Sequence, residues 1–226
     1  MSVESKHGGK RHGAGRKKTG RCHDAPHRKR PPLSPLHPVH VVLRLEKGMP
    51  RLRSSLYLRA MRGVLKHFLG NPSFRIVHIS IQSNHLHLLV EASDRRTLSR
   101  NMQSFAIRAA RAINAAYSNR CGKVFAFRYH ATQITTARQA RNTLAYVLNN
   151  WRKHREHTPT ERTREAKLDP YASGLSFDGW AGVSRPFRVP AGYEPLPVRP
   201  AKTSLLRFDW QQFGRIGLYE VPGPVW

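Results

Sequence analysis

An α+β domain is the fold class that the sequence predicts, on three observations. Four short stretches carry apolar residues at strand spacing, and three longer ones carry them at helical spacing. These stretches alternate as strand, helix, strand, strand, helix, strand, the ferredoxin-like βαββαβ order also used by RNA-recognition sheets, with one helix appended. Both ends of the chain lack such periodicity. Residues 1–36 therefore read as a flexible, disordered basic arm, 37–155 as the folded domain and 156–226 as an irregular C-terminal extension lying over it.

The first strand, residues 37–45 (HPVHVVLRL), sets Val39, Val41 and Leu43 on one face. A helix over 55–69 follows, with Leu56, Ala60, Val64 and Phe68 at fourfold spacing and Gly70 as its stop. Asn71-Pro72 turns the chain into two strands, 74–81 and 85–91, joined by a short turn at 82–84. The second helix, 95–119, takes Ser93 or Asp94 as its cap and Leu98, Met102, Phe105, Ala109, Ile113 and Ala116 as its core stripe. Residues 124–134 (VFAFRYHATQI) read as the fourth strand, and 136–154 as the third helix.

Charge narrows the partners. Lys and Arg total 40 against 13 acidic residues in 226, a net charge of +27. A polyanion would relieve that self-repulsion, and nucleic acid is the first candidate because phosphate contacts draw on many basic side chains. No long apolar run or basic amphipathic anchor supports a membrane partner. Within the arm, Lys10, Arg11, Arg16, Lys17 and Lys18 are candidate DNA contacts; Arg128 and Lys153 are candidates in the folded part. Cys22 and Cys121 have no paired spacing, which excludes a disulfide framework and fits a reducing, cytoplasmic setting. The N-terminus has no apolar secretory region.

The sharpest local feature is Asn84-His85-Leu86-His87-Leu88-Leu89-Val90. Residues two apart on a strand share a face, so His85 and His87 project together while Leu86 and Leu88 face away. With 13 histidines in the chain, chance alone places roughly 0.75 such pairs. The apolar flanks lift this one above chance, because imidazoles on an inner strand need partners and a metal ion satisfies two at once.

Tyr146 stands apart from the other six tyrosines. Tyr57 and Tyr117 lie near apolar helix stripes and should pack. On the third helix, Ala140, Leu144, Val147, Leu148 and Trp151 form an apolar face, and Tyr146 points away from it with Asn142, Asn149, Asn150 and Lys153. A phenol of pKa ~10 needs help to attack at neutral pH. A metal held by His85 and His87, with Asn150 as a third, oxygen ligand, would polarise a phosphate for Tyr146 as nucleophile. That donor set suits Mg²⁺ or Mn²⁺ better than structural zinc.

These residues resemble the single-tyrosine HUH transposases, particularly the REP-associated branch. Asn84-His85-Leu86-His87 and its apolar run match that family's histidine strand. Tyr146-Val147-Leu148-Asn149-Asn150 matches its tyrosine helix, and Gly122-Lys123-Val124-Phe125-Ala126-Phe127-Arg128-Tyr129 matches an upstream segment. The resemblance covers about residues 37–155, with two departures. Asn150 is followed by Trp151 where the family has proline, which should let the helix continue, and the tail after Leu168 lies outside the pattern. What the resemblance implies is a catalytic domain acting on single-stranded or hairpin DNA through a 5′-phosphotyrosine link, with strand transfer by a second 3′-hydroxyl. It also allows a homodimer, although no dimer surface can be read. No Walker-type phosphate loop appears, in keeping with chemistry that needs no ATP.

Other readings share parts of this pattern. A non-catalytic nucleic-acid binder would stack bases on Phe125, Phe127 and Tyr129 but has no use for the histidine pair. A domesticated nickase would share all of the chemistry, and a structural basic protein would need only the arm.

Overall fold

The computed structural model describes residues 31–118, 120–158, 168–183 and 194–223. Strands β1 (Val39–Arg44), β2 (Phe74–Ile81), β3 (His85–Ala92) and β4 (His130–Gln133) form one antiparallel sheet in the order β2-β3-β1-β4. Helices α1 (Ser55–Lys66), α2 (Arg95–Ala116) and α3 (Ala137–Lys153) are joined by a short α4 (Ser204–Arg207) in the C-terminal part. The result is a mixed α/β architecture.

Strand alternation decides which face does what. Val39, Val41 and Leu43 of β1, with Leu86, Leu88 and Val90 of β3, project to one side and pack with α1 and α2 in the larger core. Side chains in register with them on the other face meet α3 instead. A β-bulge between Ile76 and His78 puts Val77 on that second side as well. Helix starts follow local chemistry: Ser54, Asp94 and Thr136 each accept backbone N–H bonds from the first turn of α1, α2 and α3.

Several sequence expectations shift. The buried stripe of α1 is Tyr57, Met61, Val64 and Leu65, while Leu56 is 48% exposed. Strict fourfold spacing drifts by about 40° per step around a helix of 3.6 residues per turn, so the core selects a neighbouring stripe. Helix α1 ends at Lys66, yet Phe68 just beyond it is still buried. Helix α2 stops at Ala116, and Tyr117, at its C-terminus, is 43% exposed rather than packed. The fourth strand is far shorter than 124–134. Phe125 makes an isolated bridge to Leu45, with Ala126 donating to the Arg44 carbonyl. Residues 127–129 leave the ladder, and only His130–Gln133 pairs with β1 as a continuous strand. An edge strand has one neighbour, so a break there leaves the inner pairing intact.

The described residues of the C-terminal part are more ordered than an irregular cover. It contains 3₁₀ turns at Ser173–Ser176 and Asp209–Phe213, and its Phe177, Trp180, Leu206, Trp210 and Ile216 build a second core with Leu89, Leu144 and Leu148. Helix α3 is thereby sandwiched between sheet and extension. The same segment closes the exposed edge of β2: Ile81 donates its N–H to the Tyr171 carbonyl, Ala172 bridges Ser80, and Arg199 donates to the Ile76 carbonyl. Among the described residues, no helix is long and apolar enough to cross a membrane.

Candidate active site

The β1–β3 register aligns Val42 with His87 and Arg44 with His85. His40, Val42 and Arg44 therefore share the sheet face that carries both histidines, and α3 lays Tyr146 over it. These side chains, with Gln82, Ser83, Asn84, His154 and Glu156, line an open cleft of about 530 Å³.

Within the cleft the imidazoles form a chain. His85 Nδ1 lies 2.7 Å from the Asn84 side-chain oxygen, which can only accept, so His85 donates there and turns the lone pair of its Nε2 inward. That nitrogen is 2.8 Å from His87 Nε2, with the two rings nearly perpendicular. His87 Nδ1 in turn lies 3.0 Å from His40 Nε2. Burial lowers the pKa of His40 and of His85 from 6.5 to about 4, and that of His87 well below 6.5, with repulsion from neighbouring imidazoles adding to the effect. All three are neutral at pH 7, which is the form that ligates metals.

Tyr146 approaches this chain edge-on. Its ring centroid lies 5.2 Å from that of His87 and 6.0 Å from that of His40. Burial pushes its phenol above 10. The Lys153 ammonium stands over the Tyr146 ring, 5.1 Å from its centroid. His154, four residues beyond Asn150 on the same stripe, lies 5.8 Å ring to ring from His85.

Asn150 falls between Tyr146 and His154 in sequence but is fully buried, and neither its Oδ1 nor its Nδ2 has a hydrogen-bond partner among the described residues. An amide buried without partners costs several kcal/mol, roughly 1–3 by mutational measures. An ion accepting its oxygen would relieve part of that cost. Among the described residues, no group of three or more His, Cys, Asp or Glu side chains is arranged to hold a metal. Two neutral imidazoles whose Nε2 atoms converge in the cleft fit a divalent ion as a partial donor set. An amide oxygen such as that of Asn150, four residues after Tyr146, has the chemistry of a further ligand.

Helix and strand are locked together at the rim. Glu156, just past α3, accepts from Ser83 in the turn before His85 and pairs with Arg51 and Arg53 at 3.3 and 3.4 Å. Arg53 also makes a bidentate pair with the buried Asp169, at 2.9 and 2.8 Å, and donates to the Ile81 carbonyl. This network fixes the turn, the end of α3 and the start of the extension relative to one another.

The sequence-derived residues separate into groups. His85, His87 and Tyr146 meet in the cleft, and Lys153 sits against the tyrosine. Asn150 is not among the side chains that line the cleft. The expectation that the amides share an outward stripe with Tyr146 needs correction: Asn149 and Asn150 are both buried, Asn149 against the extension, which covers a side of α3 that the helical wheel leaves open. Asn149 donates to the Gly217 carbonyl in that extension. Arg128 is exposed and does not line the cleft. Lys10, Arg11, Arg16, Lys17 and Lys18 lie outside the described residues. Sequence reasoning missed His40, Arg44, His154 and Glu156. His40 carried a signal, as a polar residue alternating with Val39 and Val41, but only strand register reveals which histidine it meets.

Helix α3 runs three residues past Asn150 to Lys153, as the replacement of proline by Trp151 anticipates. Beyond it, Arg155 adopts a left-handed backbone, φ 53°, that turns the chain toward Glu156.

Among curated proteins, none matches the chain. Among solved structures, it is similar to a REP-associated tyrosine transposase bound to a REP hairpin, at 12% identity and a TM-score of 0.47, over 65% of this chain and 81% of that one. The family model described as "Transposase IS200 like" matches residues 35–150, a span that begins before β1, takes in His40, His85 and His87, and ends on Asn150. With more than half of the sequence matched, and the whole four-stranded sheet inside the match, this chain belongs to the family of IS200-like transposases.

Proposed function

We propose that the protein cleaves and rejoins single-stranded or hairpin-bearing DNA, with Tyr146 as the nucleophile and a divalent metal at His85, His87 and Asn150. The observation that carries this reading is the Tyr146 ring lying 5.2 Å from that of His87, whose Nε2 converges at 2.8 Å with that of His85. The sheet order β2-β3-β1-β4 supports a ferredoxin-like catalytic domain over 37–155. Residues 1–36 act in it as a basic arm and 156–226 as the extension that braces α3.

Tyr146 Oη forms a bond to the scissile phosphorus as the P–O3′ bond breaks. The phenol gives up its proton, the departing 3′-oxygen gains one, and the 5′-phosphate stays on the tyrosine. Attack by another 3′-hydroxyl reverses the step: a new P–O3′ bond forms, the P–O bond to Tyr146 breaks, and the phenol is restored. The ester keeps its bond energy throughout, so no nucleotide is consumed. Mg²⁺ or Mn²⁺, when bound, supplies charge that polarises the phosphate and favours the phenolate. Lys153 adds a positive charge over the Tyr146 ring, and the Ser83–Glu156–Arg53 network ties the end of the tyrosine helix to the turn before the histidine strand, which favours positioning for attack.

The binder reading is less well supported, because two of its three stacking candidates are taken up elsewhere. Phe125 is buried in the main core and Tyr129 packs against it, leaving Phe127 as the exposed ring. A pool of hairpin-bearing single-stranded oligonucleotides, labelled at either end and incubated with Mn²⁺ or chelator, tests the proposal on denaturing protein gels. Label from the 3′ side of the cut should remain covalently on the protein, vanish with chelator and be absent from Tyr146→Phe, which should bind DNA undiminished. Cleavage by Tyr146→Phe would remove the nucleophile assignment.

A further inference from the structure

We infer that His40 is a positioning residue for metal binding, serving as the exchangeable hydrogen-bond partner of His87. This rests on the metal site proposed above and extends it to a side chain on a different strand. The geometry is specific. His40 is 2% exposed and His87 is 3% exposed; their rings stack at 23° with centroids 5.2 Å apart, and Nε2 of the first lies 3.0 Å from Nδ1 of the second. At that separation one nitrogen carries the proton and the other accepts it.

Which one carries it depends on what occupies the cleft. Asn84 holds the proton of His85 on Nδ1, so His85 Nε2 is an acceptor. Without a cation, the 2.8 Å contact between His85 and His87 is a hydrogen bond only if His87 donates from Nε2. Its Nδ1 must then accept from His40 Nε2–H. With a cation shared by His85 and His87, both Nε2 atoms need free lone pairs. The His87 proton must then sit on Nδ1 and be donated to His40 Nε2. His40 answers by carrying its own proton on Nδ1. No net proton is gained or lost among the imidazoles; both rings change tautomer together.

An imidazole can donate or accept at the same nitrogen, and this is what the position asks of it. A carboxylate there could only accept, and an ammonium could only donate. A hydrogen-bonded partner at the far nitrogen also fixes ring orientation, and loss of such partners typically weakens metal affinity by about 10–100-fold.

Calorimetric titration of Mn²⁺ into the full-length protein, without DNA, tests this directly. His40→Phe keeps ring volume but cannot hydrogen-bond, whereas His40→Gln offers both an acceptor and a donor. Affinity should fall about tenfold or more in His40→Phe and recover substantially in His40→Gln. Wild-type affinity in a folded His40→Phe variant, judged by its circular dichroism and melting, would overturn the inference, as would a His40→Gln variant no better than His40→Phe. If His40→Phe does not fold, ¹⁵N shifts of His87 in the wild-type protein saturated with Mg²⁺ decide the matter. Protonation on Nδ1 is expected, and protonation retained on Nε2 would overturn it. His85→Ala serves as the separate control. If it binds Mn²⁺ as well as the wild type, the metal site itself fails, whatever His40 does.

Discussion

At the scale of single residues, burial of neutral histidines ties stability to pH. His78 is the clearest case because it lies outside the cleft: it is buried, its Nδ1 is 3.1 Å from the Ser173 hydroxyl, and its ring packs edge-on against Phe177. Burial lowers its pKa from 6.5 to about 4, an effect that Asp178 offsets only in part. The unfolded chain therefore binds the proton more readily than the folded one. Stability from this group is fully present above pH 6.5 and is lost as pH falls through about 4. At about 1.4 kcal/mol per pH unit, the loss approaches ~3 kcal/mol. His40 and His85 titrate in the same window and with the same sign. Thermal melts from pH 7 to pH 4 should show a falling midpoint, with a shallower decline in His78→Phe; a flat profile would contradict the buried neutral state.

Among the secondary-structure elements, α3 is the one whose placement matters most, and its outer support is the C-terminal extension. Gly179 allows the support to pack. A Cβ on that residue would run into the Trp210 and Phe177 rings, which are the centre of the second core. Gly179→Ala should therefore cost roughly 1–3 kcal/mol through overpacking and reduce covalent adduct formation more than DNA binding, since it disturbs the tyrosine helix. Denaturant unfolding and the labelled-oligonucleotide assay on the same variant check both halves. An unchanged midpoint would mean that the extension yields at no cost.

For the whole molecule, charge and architecture divide the work. The sheet offers one face to the main core and the other to the cleft, while the +27 net charge makes encounter with DNA strongly dependent on salt. Deleting residues 1–36 should weaken binding and flatten the slope of log affinity against log salt, because each lost phosphate contact removes close to one released counterion, about 0.9 for duplex and 0.7 for single strands. Covalent chemistry at saturating protein should persist. An unaltered slope would make the arm a bystander.

The sequence by itself determined the elements and the chemistry that one element can display. Alternation in β3 put His85 and His87 together and Leu86 and Leu88 opposite, and helical spacing set Tyr146 and Asn150 on one stripe; both are local periodicities that survive any packing. Elsewhere local pattern ran short. The 124–134 stretch alternates like a strand along its length, yet it forms a single bridge at Phe125 and a continuous ladder only in its last part, because pairing depends on what the neighbouring strand offers at each register position. Burial of Asn149 was not legible, since its partner Gly217 lies far along the chain in a segment without periodicity. His40 illustrates the same limit. Its polarity was visible in the sequence, but its partner 47 residues away was decided only when antiparallel pairing set β1 against β3 and brought the two imidazoles within 3.0 Å.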